Sequence, residues 1–459
     1  MNEAIIAASR FGYGAGPDGT HAFAADPRGW LKAQLAPQAP LLPRFAGLPG
    51  SAELVVTLQQ LRQERRQAKA EAEASPRPSA AGEPQGHQML PEQRVLRQAV
   101  LQETAAKLDA VTTSAKPFVE RLVSFWSNHF TVSGVRPIVR PLAGSFEREA
   151  IRPHVAGRFE DLVLAAVQHP AMGLYLDNWV SVGPDSRVGQ RSTRGLNENL
   201  GRELLELHTL GVDGGYSEED VRALARILTG WSIGGPRVDE PGRFRFVPAI
   251  HEPGDKIFLG RRYPEAGMGE GLAAIRVIAN HPSTARHVAR QLAQHFITDQ
   301  PPPAAVDRLA QVFMQTGGDL RAVSLALVDQ PEAWSSYLQK IKTPFDFVAS
   351  AIRATGKPLT PEQAINGLNR LGQGLHMAPS PAGWPDDAAS WVGPEAVLRR
   401  VEWAQAYAGQ VGDDVDPAVL TEAVLGDTIA ADQHQAIARA ESRPIALAML
   451  LASPAFQRR

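Results

Sequence analysis

The sequence predicts a mainly α protein: a multi-helix globular domain with a small β-hairpin insertion. Three observations carry this expectation. Apolar residues recur at helical spacing over long stretches, helix starts and stops are marked by caps, prolines and glycines, and only residues 243–260 alternate as a strand does. A chain of 459 residues admits two or three domains. The sharpest change of composition, at 75–90, nevertheless reads as a mobile insertion and not a boundary. One large helical domain is therefore expected over 1–459, with the hairpin at 236–262 and the helices of 394–459 packed on the core.

In chain order, residues 3–9 form a short helix stopped by the glycines of Arg10-Phe11-Gly12-Tyr13-Gly14. That turn is too short and wrongly spaced for a dinucleotide fingerprint. Trp30 to Leu35 suggests another short helix, and Leu58 to Ala74 a polar one that gives way to Ser75-Pro76-Arg77-Pro78. Helical pattern resumes at Pro91 and runs to about Phe130. Near its end Phe118, Leu122, Phe125 and His129 fall within about 60° on a helical wheel. His129 thus lies on a buried face, either as a core histidine bonded to a backbone carbonyl or as a ligand or base in an apolar pocket. Arg121 and Asn128 share a flank of the same helix. A loop at 131–144 and helices at 145–152 and 158–168 follow. The polar loop Ser181 to Arg194 carries Asp185, Arg187, Arg191 and Arg194, which suit an anion site, a lid or a charge-balanced surface equally.

Residues 195–231 organise the chain as helix, glycine-rich turn, helix. At ~100° per residue, Leu196, Leu200, Leu204 and Leu207 make a buried stripe, and Asn199, Arg202, Glu203 and Glu206 fall in an adjoining arc. Two carboxylates at i,i+3 can share a cation or act as an acid/base pair, whereas Arg202 beside them also suits a solvated, charge-paired face. His208 lies about 140° around the wheel from Glu203 and does not join them. Gly211 stops the helix, and Asp213-Gly214-Gly215 forces a turn. Ser217 caps the second helix with Asp220 in a capping-box position, so the acidic run there needs no catalytic explanation.

Arg243 to Val247 and Lys256 to Gly260 answer each other as a hairpin whose connection carries His251, Glu252 and Asp255. After Pro282 the chain is helical to about Leu338, and Gln294-His295-Phe296 echoes Asn128-His129-Phe130. Xaa-Pro helix starts recur at Pro170, Pro331 and Pro454, for which proline at the first helical position is a sufficient reason. Ser380 to Asp386, with Trp391 beyond, is an aromatic, proline-rich loop, and helices from about 394 to 456 close the chain.

Composition excludes several classes. The formal net charge of −2 offers no excess to neutralise phosphates, so no nucleic-acid binding is expected. The absence of cysteine removes thiolate nucleophiles and cysteine-based metal sites. No segment reaches 18 apolar residues, so no membrane span is expected. The N-terminal stretch lacks a basic region before its apolar run and does not read as a signal peptide; the cytoplasm is the expected compartment, with co-export to the periplasm left open.

Several strings resemble one bacterial family, domain of unknown function 1800. They are Trp126-Ser127-Asn128-His129-Phe130, Tyr175-Leu176-Asp177-Asn178, Asn197-Glu198-Asn199, Arg202 to Leu207, Gly215-Tyr216 with Asp220-Val221, and Leu228-Thr229-Gly230-Trp231. His251 with Gly254-Asp255-Lys256, and Pro381 to Asp386, complete the set. The resemblance spans nearly the whole chain and implies no established activity. It implies a neighbourhood: members occur beside exported proteins that resemble alkaline-phosphatase-type enzymes and carry twin-arginine signals. Where the family has His-Asp, this chain has His251-Glu252.

Two readings stay open. In the first the chain is an enzyme, metal-assisted or acid/base, with its site between the helices near 118–130 and 196–210. Glu203, Glu206 and His129 are then the catalytic candidates, His129, Glu203, Glu206 and His251 the ligands of a divalent metal, and Asn128, Asn199, Arg202 and Asp177 their support. In the second it binds or escorts a co-encoded exported protein through exposed Trp384, Pro385 and Trp391, and the polar core residues are structural networks.

Overall fold

The computed structural model describes residues 3–36, 43–74, 90–335 and 339–459. The expected insertion at 75–90 lies outside the described residues except for Leu90, as do 336–338 near the end of the expected helical run. Among the described residues the fold is mainly α, with 21 α-helices and two antiparallel strand pairs. Proline recurs at the first helical turn, in Pro27–Gln34, Pro91–Thr113, Pro117–His129, Pro282–Phe296 and Pro344–Thr355 among others. Its missing N–H costs nothing there, and its fixed φ suits the helix. Ser217 and Asp220 form the expected capping box on Glu218–Ile227.

Two of the four strands lie where alternation places them, but they pair with strands outside 243–260 and not with each other. Phe244–Phe246 pairs with Trp231–Ile233, and Lys256–Phe258 pairs with Arg261–Tyr263. The reason lies in the link between them. Pro248–Ile250 forms a 3-10 turn, and His251 is then tied to the Thr229 carbonyl (2.8 Å), which turns the chain away from its expected partner.

Two apolar clusters make up the core. One gathers the buried faces of Pro117–His129, Phe159–Gln168, Glu218–Ile227 and the helices from Met268 to Val328. The other joins Tyr13, Leu108 and Phe347 to Leu368, Tyr407 and Leu447, so the C-terminal helices rest on N-terminal residues. Close approach fixes some of this packing. A Cβ on Gly271 would stand 2.4 Å from the buried indole of Trp231.

The central helix departs from a plain α-helix. Asn199–Glu203 is α-helical, but Leu204–His208 is a π-helix that ends with Gly211 N donating to the Leu205 carbonyl (3.0 Å). The wider turn rotates each later side chain less than an α-turn does. Leu205 and His208 therefore enter the core, while Leu207, expected in the buried stripe, is only half-buried. The His208 ring packs 5.1 Å from that of Phe130, and neither of its nitrogens has a hydrogen-bond partner. Burial pushes this imidazole down to about 4.

Two stability predictions follow from these packings. Gly271→Ala should gain about 1 kcal/mol of helix propensity but cost about 1–3 kcal/mol in overpacking against a ring that cannot yield. A net loss of up to about 2 kcal/mol in urea unfolding is expected; a raised midpoint would show that the indole moves aside. His208 keeps its full contribution above its unfolded value of 6.5 and loses it as pH falls from there through about 4, because the unfolded chain takes the proton first. His208→Leu, which removes an unpaired buried polar ring, should therefore gain stability over the wild type at pH 5.0 that it lacks at pH 7.5, read from urea midpoints at both values.

Candidate active site

The helix Pro117–His129 is buried on two sides, so its polar residues must find partners inside the protein. Arg121 donates Nε to the Gly12 carbonyl (2.7 Å) and Nη1 to Asp346 Oδ2 (3.1 Å), and its guanidinium lies 4.7 Å over the Tyr13 ring. Nη2 of Arg121 is buried without a hydrogen-bond partner. At the penultimate position of the helix, Asn128 clamps the 380–387 loop by its backbone. Its Oδ1 accepts from Trp384 N (2.8 Å) and its Nδ2 donates to Trp384 O (2.9 Å). Gly383 makes room for that clamp at φ +80°, where a Cβ would lie 2.6 Å from the Asn128 carbonyl.

The clamped loop carries Asp386 into a knot of buried charge. Asp386 Oδ2 lies 2.6 Å from His295 Nδ1, at the end of Pro282–Phe296, and Oδ1 lies 3.3 Å from Arg459 Nη2 and 3.5 Å from Lys340 Nζ. Lys340 also donates to the Asp386 carbonyl and to Asp299 Oδ1 (2.6 Å), while Asp299 Oδ2 accepts from Ala388 N (2.7 Å). Asp346 holds both Arg121 and Arg459 (3.3 Å). Burial pushes the Asp386 carboxyl up, but His295, Lys340 and Arg459 together hold it well below the usual carboxylate range. Burial lowers His295 to about 4 despite the attraction of Asp386, so at neutral pH its imidazole is neutral. Nδ1–H then donates to Asp386, and the Nε2 lone pair accepts a long hydrogen bond from Arg121 Nη1 (3.5 Å).

Arg121, Asn128, His295, Asp346 and Asp386 wall a cavity of about 360 Å³ at the seam of the two apolar clusters, with Phe125 from one and Phe345 from the other. Its remaining walls set the amides of Gln291, Gln294 and Gln373 and the neutral imidazoles of His129 and His376 among hydroxyl and apolar side chains and the Asp387 carboxylate. At another part of the wall Lys107 pairs with Glu147, and Ser127 Oγ donates to the same carboxylate (2.9 Å). Burial pushes Glu147 up, but Lys107, His376 and Arg152 bring it down to about 2, so it remains an anion.

The residues expected from sequence divide sharply. His129 and Asn128 line this cavity. His129 Nε2 lies 3.0 Å from the His208 carbonyl, and burial, with His208 and His287 nearby, pushes its imidazole well below 6.5. Of the 196–210 helix, Leu207 reaches the cavity wall. Glu203 and Glu206 are half-exposed on another face, where Arg202 bonds Glu206 (3.3 Å), Glu198 (3.4 Å) and Glu218 (2.8 Å). That is the solvated, arginine-paired face. Burial and the neighbouring Glu206 push the Glu203 carboxyl up. Asn199 is exposed at the helix start, and Asp177, in left-handed backbone at φ 58°, takes a two-point grip from Arg136 (2.9 Å each).

His251 lies apart from all of these. It bridges the Thr229 carbonyl and Glu270 Oε1 (3.2 Å), and Lys256 Nζ sits 2.8 Å from Glu270 Oε2, so it braces the strand pairs against Met268–Ala279. Among the described residues no group of three or more His, Asp or Glu is placed to hold a metal. The four expected ligands thus do not fit one ion. The aromatic loop also differs from expectation: Trp391 is buried with Nε1 donating to the Pro385 carbonyl (2.9 Å), Trp384 is half-buried, and Pro385 alone is exposed.

Sequence reasoning missed His295, Asp346, Lys340 and Arg459 as site residues. Two signals pointed there: the Gln294-His295-Phe296 echo of Asn128-His129-Phe130, and the Pro381 to Asp386 string. Among the described residues no helix is long and apolar enough to cross a membrane. No curated protein and no solved structure matches this chain. A family model described as a protein of unknown function, domain of unknown function 1800, matches residues 6–458, nearly the whole chain, and the protein belongs to that family.

Proposed function

We propose that this protein is an acid/base enzyme that acts on a small, neutral, polar substrate in the cavity, with His295 as the proton-accepting group. The observation that carries the reading is the 2.6 Å contact between His295 Nδ1 and Asp386 Oδ2. A carboxylate on Nδ1 fixes the tautomer and orients the ring, which leaves Nε2 as a base toward the cavity. Asp386 is a positioning residue in this scheme. Arg121, at 3.5 Å from Nε2, sets a cation beside the point where a substrate would lose its proton and gain negative charge. The amide and imidazole walls suit a substrate rich in hydroxyl or amide groups, and the scarcity of unpaired charge there argues against a strongly ionic one. No step is routed through a metal, because the face of Glu203 and Glu206, His129 and His251 lie in three separate surroundings. The escort reading has less support, since its aromatic surface is largely folded inward.

The test is a panel of neutral chromogenic esters, amides and glycosides. Turnover of at least one is expected, and His295→Gln should lower kcat/KM about 10²–10⁴-fold with circular dichroism unchanged. Asp386→Asn should lose much of the rate as well, whereas Glu203→Gln and Glu206→Gln should stay within a few-fold of the wild type. No turnover across the panel, or a full rate from His295→Gln, would sink the reading.

The pH profile gives a second check. The base must be neutral, and burial holds His295 down to about 4. The acid limb of kcat/KM should therefore fall near pH 4, well below the ordinary 6.5 of histidine. An acid limb at 6.5 would assign the proton transfer to a more exposed group.

A further inference from the structure

Four lysines are buried among the described residues, and three of them hold a carboxylate: Lys107 pairs with Glu147, Lys256 with Glu270 and Lys340 with Asp299. Lys342 is the exception. It is 3% exposed, yet among the described residues its Nζ has no carboxylate at ion-pair distance and no hydrogen-bond acceptor, and it lies 4.2 Å from the centre of the Phe456 ring. Its backbone fixes it there, with N donating to the Gln457 carbonyl (2.9 Å) and the carbonyl accepting from Arg400 Nη2 (2.8 Å). Asp346 attracts the ammonium from farther away, but Arg121 and Arg459 already hold that carboxylate. The guanidiniums of Arg121, Arg459 and Arg400 repel it, and burial is the largest of the effects that lower it to about 7. A cation taken out of water in such surroundings needs a counter-charge.

Lys342 walls a hollow of about 10 Å³, and Ser350, on Pro344–Thr355, walls the same one. Ser350 is 1% exposed, and its Oγ is buried without a hydrogen-bond partner. Ser9, Gly14, Val424, Phe456 and the exposed Arg458 are among the other walls. One hollow thus gathers a buried cation and a buried hydroxyl, neither of them partnered within the described protein. A space of this size admits about one water-sized body. Water would take up the hydrogen bonds but leave the charge uncompensated, and a carboxylate or phosphate is too large. A monatomic anion suits both the space and the charge.

We infer that this hollow is a halide site, which binds one chloride between the Lys342 ammonium and the Ser350 hydroxyl, both donating to it. The walls come from the N-terminal segment, from Pro344–Thr355 and from the C-terminal helices, so the ion ties these parts together. Because only the folded chain assembles the walls, chloride stabilises it by mass action. The inference does not depend on the role given to His295.

The experiment is urea unfolding of the full chain at pH 6.5 in sodium chloride, sodium bromide and sodium gluconate, at equal ionic strength. Both halides should raise the midpoint above that in gluconate. Each tenfold rise in halide above the dissociation constant should multiply the folding constant about tenfold. Lys342→Met, which keeps a long side chain without the charge, should unfold at the same midpoint in chloride and gluconate, and Ser350→Ala should need severalfold more chloride for the same gain. Crystals grown in bromide should show one anomalous scatterer beside Lys342 Nζ, a readout that holds even where Lys342→Met fails to fold. A wild-type midpoint no higher in halide than in gluconate, a halide response undiminished in both variants, or water alone in the hollow of the bromide crystals would overturn the inference.

Discussion

Everything at the site depends on keeping Asp346 and Asp386 ionised inside the protein. Buried Asp346 could not stay charged alone, since the cost of taking an ion out of water is several kcal/mol even after relaxation, and Asp386 keeps only 23% of its side chain exposed. The chain answers with Arg121, Arg459 and Lys340, each of them almost fully buried, so that charges of both signs share one small volume. Such a knot is a poor way to gain stability, because well-packed apolar residues would serve at least as well. What it supplies is direction. A carboxylate fixed from three sides offers His295 one acceptor in one place, which a solvated aspartate on a free loop cannot do.

The knot also explains why the loop at 380–387 has the composition it does. Asn128 grips the backbone of Trp384, Lys340 reaches the Asp386 carbonyl, and Asp299 caps the following turn at Ala388. Gly383 takes the left-handed conformation that the grip requires. Trp391 folds beneath the loop and bonds the Pro385 carbonyl. Each aromatic or proline in this stretch therefore has a structural task, and a loop that looks from its composition like an exposed docking surface is a tightly held support for one carboxylate.

Much of the fold was legible because helical periodicity is a local signal. The helix start at Pro170, the capping box at Ser217 and Asp220 and the strands Phe244–Phe246 and Lys256–Phe258 follow from residues a few positions apart, whereas Pro454, expected to start a helix, opens only a turn. Part of the site was legible too. The buried face of His129 and the polar flank of Arg121 and Asn128 both border the cavity. The rest was not, for two reasons. Asp386 meets residues 91, 46 and 73 positions away in the chain, and no periodicity reports such pairings. The wheel for the 196–210 helix assumed α-helical turns throughout, and a π-turn at Leu204–His208 changes which side chains face inward. Glu203 and Glu206 drew attention as an unusual cluster, yet Arg202 pairs Glu206 with Glu198 and Glu218 on a half-exposed face.

The contrast between the two histidine centres shows what geometry adds to residue type. His251 and His295 each sit beside a carboxylate, Glu270 and Asp386, and a motif reading cannot rank them. Their other ring nitrogens separate them. His251 has its second nitrogen against the Thr229 carbonyl, so both are spent on the protein and the ring serves as a brace. His295 has its second nitrogen at a cavity wall, with an arginine at 3.5 Å as its neighbour. A base needs a lone pair that a substrate can reach, and at His295 only a long contact from Arg121 (3.5 Å) meets it beside the cavity. We therefore propose His295, and not His251, as the proton acceptor.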